Sequence, residues 1–179
     1  MNENKVIEFS ETLEILDIQK ANFYNFKKHK KYLINQIIFI AMSILMIGMS
    51  ISEKQWVFLG IGVVLLIFST VFFVPVYKAL IYNAVKKSLK EPLQIKLTFD
   101  DEGFMYELET AVDTEYPKYE YNNVRIVYSV KEYIYMYFTN SAIAIIKKDA
   151  CKNIEELEEL LVGKYSESNK YVVDNKASL

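Results

Sequence analysis

The feature that most constrains how this chain folds is a pair of long apolar runs within residues 33–82. The first run, Leu33–Ile51, has 19 residues and no charge. As a helix rising ~1.5 Å per residue it would extend about 28 Å, close to the thickness of a bilayer's hydrocarbon core. The second run, Trp56–Val76, is also uncharged, and the polar break Ser52–Gln55 separates the two. The sequence therefore predicts a transmembrane helical hairpin.

Lysines are concentrated at one end of this predicted hairpin. Those that flank it are Lys27, Lys28, Lys30, Lys31, Lys78, Lys86, Lys87 and Lys90. The loop between the runs has a single lysine, Lys54, beside Glu53. Because cytoplasmic flanks are enriched in positive charge, we expect a multi-pass protein of the cell membrane with both termini in the cytoplasm. Neither span contains Asp, Glu, Lys, Arg or His, which disfavours a transport role.

The two halves of the chain carry opposite charge. Residues 1–90 contain 11 Lys and 6 Asp or Glu, a net of +5, whereas residues 91–179 contain 9 Lys and Arg125 against 17 Asp or Glu, a net of −7. The basic half suits a surface of anionic lipid headgroups. The acidic half disfavours nucleic acid as a partner, since phosphate contacts need a basic surface.

The chain is poor in residues that carry catalysis or bind metals. Cys151 is the only cysteine, so an intramolecular disulfide and a cysteine-cluster metal site are excluded. His29 is the only histidine and lies within a lysine run, where an interfacial role is expected. Nucleophile–His–acid arrangements, Gly-rich phosphate loops and His-carboxylate metal motifs are absent from the sequence. We therefore predict no catalytic residue, no metal and no cofactor.

The segment before the hairpin is predicted to contain a strand and a helix. Lys5–Phe9 is short and β-like, and Thr12 is a candidate helix cap. After it, apolar residues recur at helical spacing at Leu13, Leu16, Phe23 and Phe26. Two placements of this amphipathic helix remain open, one at the membrane surface and one packed on the cytoplasmic domain.

A β-rich region follows Pro92, which ends the helical extension of the second span. The predicted strands cover residues 93–99, 104–109, 113–121, 124–130, 133–138 and 142–146. Asp100–Gly103 supplies a turn, and Pro117 places the third strand at an edge or a bend. These strands predict a strongly bent antiparallel sheet or partial barrel, with one open edge. We expect Lys5–Phe9 to cover that edge as a seventh strand.

One helix is predicted to close the sheet. Asn153 with Glu156 resembles a capping box, and Gly163 is the expected stop. The chain is thus predicted to be an α+β membrane protein with four regions: 1–31, a strand and a juxtamembrane amphipathic helix; 32–90, the hairpin with spans at about 33–51 and 56–77 and a helical extension; 91–165, the β domain with its closing helix; and 166–179, a disordered tail.

This order of two spans, strands and one closing helix resembles the YcxB-like family of bacterial membrane proteins. The resemblance covers roughly Lys5–Tyr165, and its best local anchors are Leu97–Gly103, Tyr133–Tyr137 and Ala144–Ala150. It implies a bent antiparallel sheet of pleckstrin-homology-like fold on the cytoplasmic side. It implies no catalytic residue and no established activity.

The sequence departs from the family's pattern at three positions. The family often has Trp where Tyr121 stands, Pro at Ile146 and Phe at Ala150. The last departure affects the packing expected at the start of the closing helix.

The function that the sequence favours is a membrane-anchored, non-enzymatic interaction module that presents its β domain to a protein partner or to another copy. About half of its strand tyrosines are expected to face outward and form that interface; they are Tyr106, Tyr116, Tyr119, Tyr121, Tyr128, Tyr133, Tyr135 and Tyr137. One alternative is a sensor of inner-leaflet lipid headgroups that uses Lys147, Lys148 and Lys152. Another is a small immunity or stress protein that acts through its hairpin. A membrane-bound enzyme would require a pocket with a strongly perturbed carboxylate or tyrosine.

Overall fold

The computed structural model describes residues 6–89, 91–100, 102–109, 114–115 and 118–174. The protein is α+β, with two long apolar helices and two sheets. Its chain forms two compact units. One consists of the residues up to Ala21 together with those from Leu89 onward, and the other is Asn22–Ser88. The chain up to Ala21 therefore belongs to the same unit as the C-terminal half, whereas the rest of the segment before the hairpin belongs to the hairpin's unit.

The helices before the β-rich region are α1 (Ile15–Lys28), α2 (Lys30–Ser52), α3 (Trp56–Ile67) and α4 (Phe73–Ser88). A π-helical segment, Phe68–Phe72, joins α3 to α4 without a break. The segment ends three residues before Pro75, which has no amide hydrogen to donate to the carbonyl of Val71, four residues earlier and within the segment. The predicted polar break at residues 52–55 is confirmed, and the helical extension ends at Ser88.

Small residues let α2 and α3 approach closely. Gly62 is buried, and a Cβ added there would lie 2.8 Å from Ile47 Cγ1. Ser43 is fully buried and donates its hydroxyl to the Phe39 carbonyl of its own helix. A polar contact also joins α2 to the π-helical segment, where Gln36 Nε2 donates to the Ser69 carbonyl at 3.3 Å. The side chain thereby satisfies a carbonyl where the helix is irregular.

The first sheet contains β1 (Ile7–Leu13), β2 (Leu93–Phe99), β3 (Gly103–Glu109), β4 (Thr114–Glu115) and β5 (Lys118–Glu120). β1 pairs antiparallel with β2, from Ile7 opposite Phe99 to Leu13 opposite Leu93. The predicted seventh strand is confirmed for its described residues; Lys5 lies outside them. Because the alternation continues to Leu13, Thr12 belongs to the strand, and the expectation that it caps a helix is wrong.

The second sheet contains β6 (Val124–Val130), β7 (Tyr133–Phe138), β8 (Ile143–Lys147) and β9 (Tyr171–Asp174), in the order β8-β7-β6-β9. The strands therefore form two sheets and not one bent sheet. The third predicted strand is divided into β4 and β5, which both pair with β3, and Pro117 between them lies outside the described residues.

The predicted disordered tail is wrong for Tyr171–Asp174. These residues pair in parallel with the edge of β6, and the Val127 amide donates to the Lys170 carbonyl at 2.7 Å. Aromatic and β-branched side chains at the start of the segment favour an extended strand despite its polar surroundings.

The closing helix α5 spans Ile154–Tyr165. Asn153 occupies the N-cap position, but its side chain makes no capping hydrogen bond, so the capping box is not formed. The helix continues past Gly163 by two residues, because Tyr165 is buried and donates its hydroxyl to the Tyr121 carbonyl at 3.0 Å.

β7 lies at the centre of the core, and all six of its residues are buried. On one face, the Phe138 ring contacts Phe104 and Tyr119 of the first sheet, with centroids 5.6 and 4.6 Å apart. On the other face, the hydroxyls of Tyr133 and Tyr137 donate to Asp17 and to the Ala21 carbonyl of α1, each at 2.8 Å. The start of α1 thus covers the tyrosine face of this strand.

The expectation that about half of the strand tyrosines face outward is wrong for the described residues. Five are buried: Tyr106, Tyr121, Tyr133, Tyr135 and Tyr137. The other two, Tyr119 and Tyr128, are half-buried. Tyr116 lies outside the described residues. The alternation of side chains is present, but both faces of β7 are covered, so an outward-pointing tyrosine there meets a helix and not solvent.

Candidate functional site

A carboxylate occupies an inward-facing position of β1. Ile7, Phe9, Glu11 and Leu13 share one face of the strand, and the three apolar members are buried. The Lys147 backbone amide donates to Glu11 Oε1 at 3.2 Å, whereas the buried Oε2 has no hydrogen-bond partner among the described residues. Burial raises the pKa of Glu11 to about 7, because the opposing effects of the Lys147 amide and ammonium are smaller.

A second carboxylate, Asp17, lies in the first turn of α1 and is only 6% exposed. It accepts hydrogen bonds from Lys147 Nζ at 2.7 Å, from the Tyr133 hydroxyl at 2.8 Å and from the Glu14 amide at 2.9 Å. The last of these is the backbone half of a capping box, in which an acidic side chain reaches back to the amide before the helix. Burial alone would raise the pKa of Asp17, but these donors together lower it.

Lys147, at the end of β8, connects these groups. Its ammonium also donates to the Thr12 carbonyl at 3.0 Å. Burial alone would lower the pKa of Lys147, but the hydrogen bond and charge of Asp17 have the larger effect. The pKa is therefore raised above its ordinary value, and the side chain stays protonated. One lysine thereby joins β1, α1 and β8.

Tyr133 completes the cluster on β7. Its hydroxyl, which donates to Asp17, accepts a hydrogen bond from Lys20 Nζ at 3.1 Å. Lys20 also lies 5.0 Å from the centre of the ring and 3.7 Å from the Glu132 carboxylate. Burial and the neighbouring Asp17 carboxylate raise the pKa of Tyr133. We call Glu11, Asp17, Tyr133 and Lys147 the polar cluster.

The polar cluster contains the kind of perturbed carboxylate and tyrosine that an enzyme would require. Its reactive atoms are nevertheless covered: Glu11 Oε2 is buried, Asp17 is 6% exposed and Tyr133 is 5% exposed. The arrangement joins segments that are distant in sequence, and these atoms are buried.

Sequence reasoning missed this cluster because each member looked ordinary in its own segment. The available signal was the pattern Ile7–Phe9–Glu11–Leu13, in which a carboxylate stands where strand alternation requires an inward residue. Its partner Lys147 is 136 residues away, and no local pattern connects the two.

The three lysines proposed for headgroup contact are directed to different places. Lys147 is bound to Asp17, and Lys148 pairs with Glu158 of α5 at 2.7 Å while donating to Ser129 at 2.7 Å. The side chains of the two lysines are 23% and 22% exposed. Lys152 is exposed and makes no ion pair with a residue that the structure describes. The three ammonium groups therefore do not form one open basic patch.

Within the part of the chain that the structure describes, no group of three or more His, Cys, Asp or Glu side chains is placed to hold a metal ion. Comparison with protein-family models, with curated proteins and with solved structures found no match.

Proposed function

We propose that the protein is a membrane-anchored, non-enzymatic interaction module. Its apolar hairpin is integral to the membrane, and its sheet-containing unit lies in the cytoplasm, where it binds a protein partner. The observation that carries the proposal is the exposure of the two helices: only 11% of the most apolar window of each is buried. Ile37, Leu45 and Val57 are 62%, 65% and 75% exposed. Soluble monomers rarely expose contiguous apolar patches above a few hundred Å², whereas lipid-facing helices do so along their length.

The topology supports a pleckstrin-homology-like assignment for the sheet-containing unit. β1, β2, β3 and the divided β4–β5 form one sheet, β6, β7 and β8 form the next, and α5 follows. This is the order that the YcxB-like resemblance implies, with the first strand contributed from before the hairpin. The parallel strand β9 is an addition to that pattern.

Charge favours a protein partner with a basic surface over a lipid headgroup. The net charge of −7 over residues 91–179 repels an anionic leaflet, and Lys147 and Lys148 are already paired with carboxylates. The tyrosine face of β7 is covered by α1, so the partner must contact another surface of the unit.

Membrane insertion and topology can be tested by cysteine accessibility. In a Cys151→Ala background, Lys54→Cys should react with a membrane-impermeant maleimide in intact cells. Glu167→Cys should react only after permeabilisation, and the chain should resist alkaline extraction. Extraction into the soluble fraction, or labelling of residue 167 in intact cells, would contradict the proposed anchoring.

Binding to lipid headgroups can be tested with the full chain in nanodiscs of zwitterionic lipid. We expect no appreciable binding to added liposomes of anionic lipid at physiological salt. Lys152→Glu is the appropriate variant, because Lys152 is exposed and outside the ion pairs that stabilise the fold. Salt-sensitive liposome binding that Lys152→Glu abolishes would favour the headgroup sensor instead.

A further inference from the structure

The structure contains a cavity of about 290 Å³ between the end of α2 and the start of α3. Its lining residues are Met46, Met49, Ser50, Glu53, Gln55 and Phe58. Small-molecule sites begin at about 300 Å³ and are mostly apolar with a few placed polar groups. This cavity is mostly apolar, its volume is close to that lower limit, and it lies within the unit Asn22–Ser88.

The cavity is a half-open groove with a mostly apolar lining, in which Met49 and Phe58 are 62% and 49% exposed and the exposed Glu53 and Gln55 form a polar rim. Met46, Met49 and Phe58 supply flexible and aromatic walls, and methionine adapts readily to alkyl chains. The Ser50 hydroxyl donates to the Met46 carbonyl, so its hydrogen is not available to a ligand. At the rim, the Glu53 carboxylate accepts a hydrogen bond from Gln55 Nε2 at 3.0 Å and makes no ion pair with a lysine that the structure describes.

The rim has a second source of negative potential. Glu53 occupies the C-cap of α2, where the helix dipole and the terminal carbonyls are negative. An acidic side chain at that end of a helix is unfavourable unless a cation compensates for it. The geometry therefore calls for a ligand with a positive group and an apolar chain.

We propose that this cavity binds an ethanolamine phospholipid of the surrounding bilayer. An acyl chain lies among Met46, Met49 and Phe58, and the primary ammonium donates to the Glu53 carboxylate. A choline headgroup has the same charge but no N–H to donate, so it cannot form this charge-assisted hydrogen bond. The proposal rests on the membrane insertion proposed above.

The chain's one tryptophan, Trp56, provides the readout because it follows Gln55 directly. The full chain is placed in nanodiscs of phosphatidylcholine that contain a small fraction of phospholipid brominated near the headgroup, of either the ethanolamine or the choline type. We expect half-maximal quenching of Trp56 fluorescence at about tenfold less brominated ethanolamine lipid, because one charge-assisted hydrogen bond discriminates by at least that factor.

Glu53→Gln should remove this preference, and Glu102→Gln, which changes an exposed carboxylate elsewhere, should retain it. Helix content measured by circular dichroism shows whether the variants are folded. Equal quenching by both lipids in the wild-type chain, or an unchanged preference in Glu53→Gln, would overturn the lipid site and leave membrane insertion intact. No quenching by either lipid would overturn the insertion as well. Equal quenching with a disulfide between Lys54→Cys chains would assign the cavity to a second copy.

Discussion

Replacing Glu11 with glutamine should make the sheet-containing unit more stable at neutral and alkaline pH. Burial raises the pKa of this carboxyl from 4.5 to about 7. The folded state therefore retains the Glu11 proton at pH values where the unfolded chain has lost it. The stability that this retained proton contributes is complete below pH 4.5 and is lost as the pH rises through 7, because ionisation of Glu11 then leaves a charge on the buried carboxylate.

The size of the effect follows from the shift in the pKa. Each unit is equivalent to about 1.4 kcal/mol, so the difference from the unfolded chain is about 3 kcal/mol at most. Because the residue is only partly buried, solvent reduces that figure to the order of 1–2 kcal/mol. Glutamine keeps the oxygen that accepts the Lys147 amide hydrogen and removes the ionisation. Over this range its advantage over glutamate should be smallest at pH 5 and greatest at pH 8.

Native-state hydrogen exchange of the detergent-solubilised full chain measures this difference. Amides of β1 and β8 are followed between pH 5 and 8, with correction for intrinsic exchange rates. The neighbours of Glu11 do not obscure the result: the pKa of Asp17 is lowered and that of Lys147 is raised, so both titrate outside this range. Wild-type protection should fall as the pH rises, and Glu11→Gln should flatten the curve.

The matched control is Glu8→Gln. Glu8 lies on the outward face of the same strand, where its carboxylate is 61% exposed and 3.9 Å from Lys96 Nζ. This variant should keep the wild-type pH dependence. A wild-type curve that is flat or rises with pH, or the same slope in Glu11→Gln, would refute the reasoning.

Three further predictions test other contacts. Asp17→Asn should destabilise β8 by about 2 kcal/mol in the same exchange assay, because it leaves the Lys147 ammonium partly buried without its carboxylate; additivity with Lys147→Met would contradict a direct coupling. Truncation before Tyr171 should speed exchange at the amides of β6, and unchanged exchange would show that β9 adds nothing. Gly62→Leu should lower the thermal midpoint of the detergent-solubilised chain because its Cβ would lie 2.8 Å from Ile47 Cγ1, whereas Gly60→Leu enters open space and should not.

The elements that sequence predicted well are those with a strong local period. The apolar hairpin and the strands β2, β6 and β7 follow from apolar length and alternation, and their bounds agree closely with the structure. β1 was predicted by a different argument, since an unprotected sheet edge near the start of the chain needs a cover. That inference was confirmed although the two strands are separated by residues 14–92.

The features that sequence could not supply depend on contacts between distant segments. The tyrosines of β7 alternate as expected, but only the tertiary structure shows that α1 covers their outer face. β9 is short and lies in a polar segment, and its parallel pairing with β6 has no local signature. The division of the third predicted strand into β4 and β5 likewise depends on tertiary contacts, because both segments pair with β3.

The polar cluster has a structural consequence that apolar packing could not provide. Inward side chains of β1 recur every second residue, so a slip of two residues would keep Ile7 and Phe9 facing the core. Such a slip would move Glu11 away from the Lys147 amide and Thr12 away from the Lys147 ammonium, so a buried carboxylate and a partly buried ammonium would each lose a hydrogen-bond partner. The apolar pattern therefore selects the face that β1 presents, and the contacts of Glu11 and Thr12 with Lys147 of β8 favour the observed register of β1 against β2. Ionisation of Glu11 thus costs stability at neutral pH, but the hydrogen bond that Glu11 accepts from the Lys147 amide helps to specify that register.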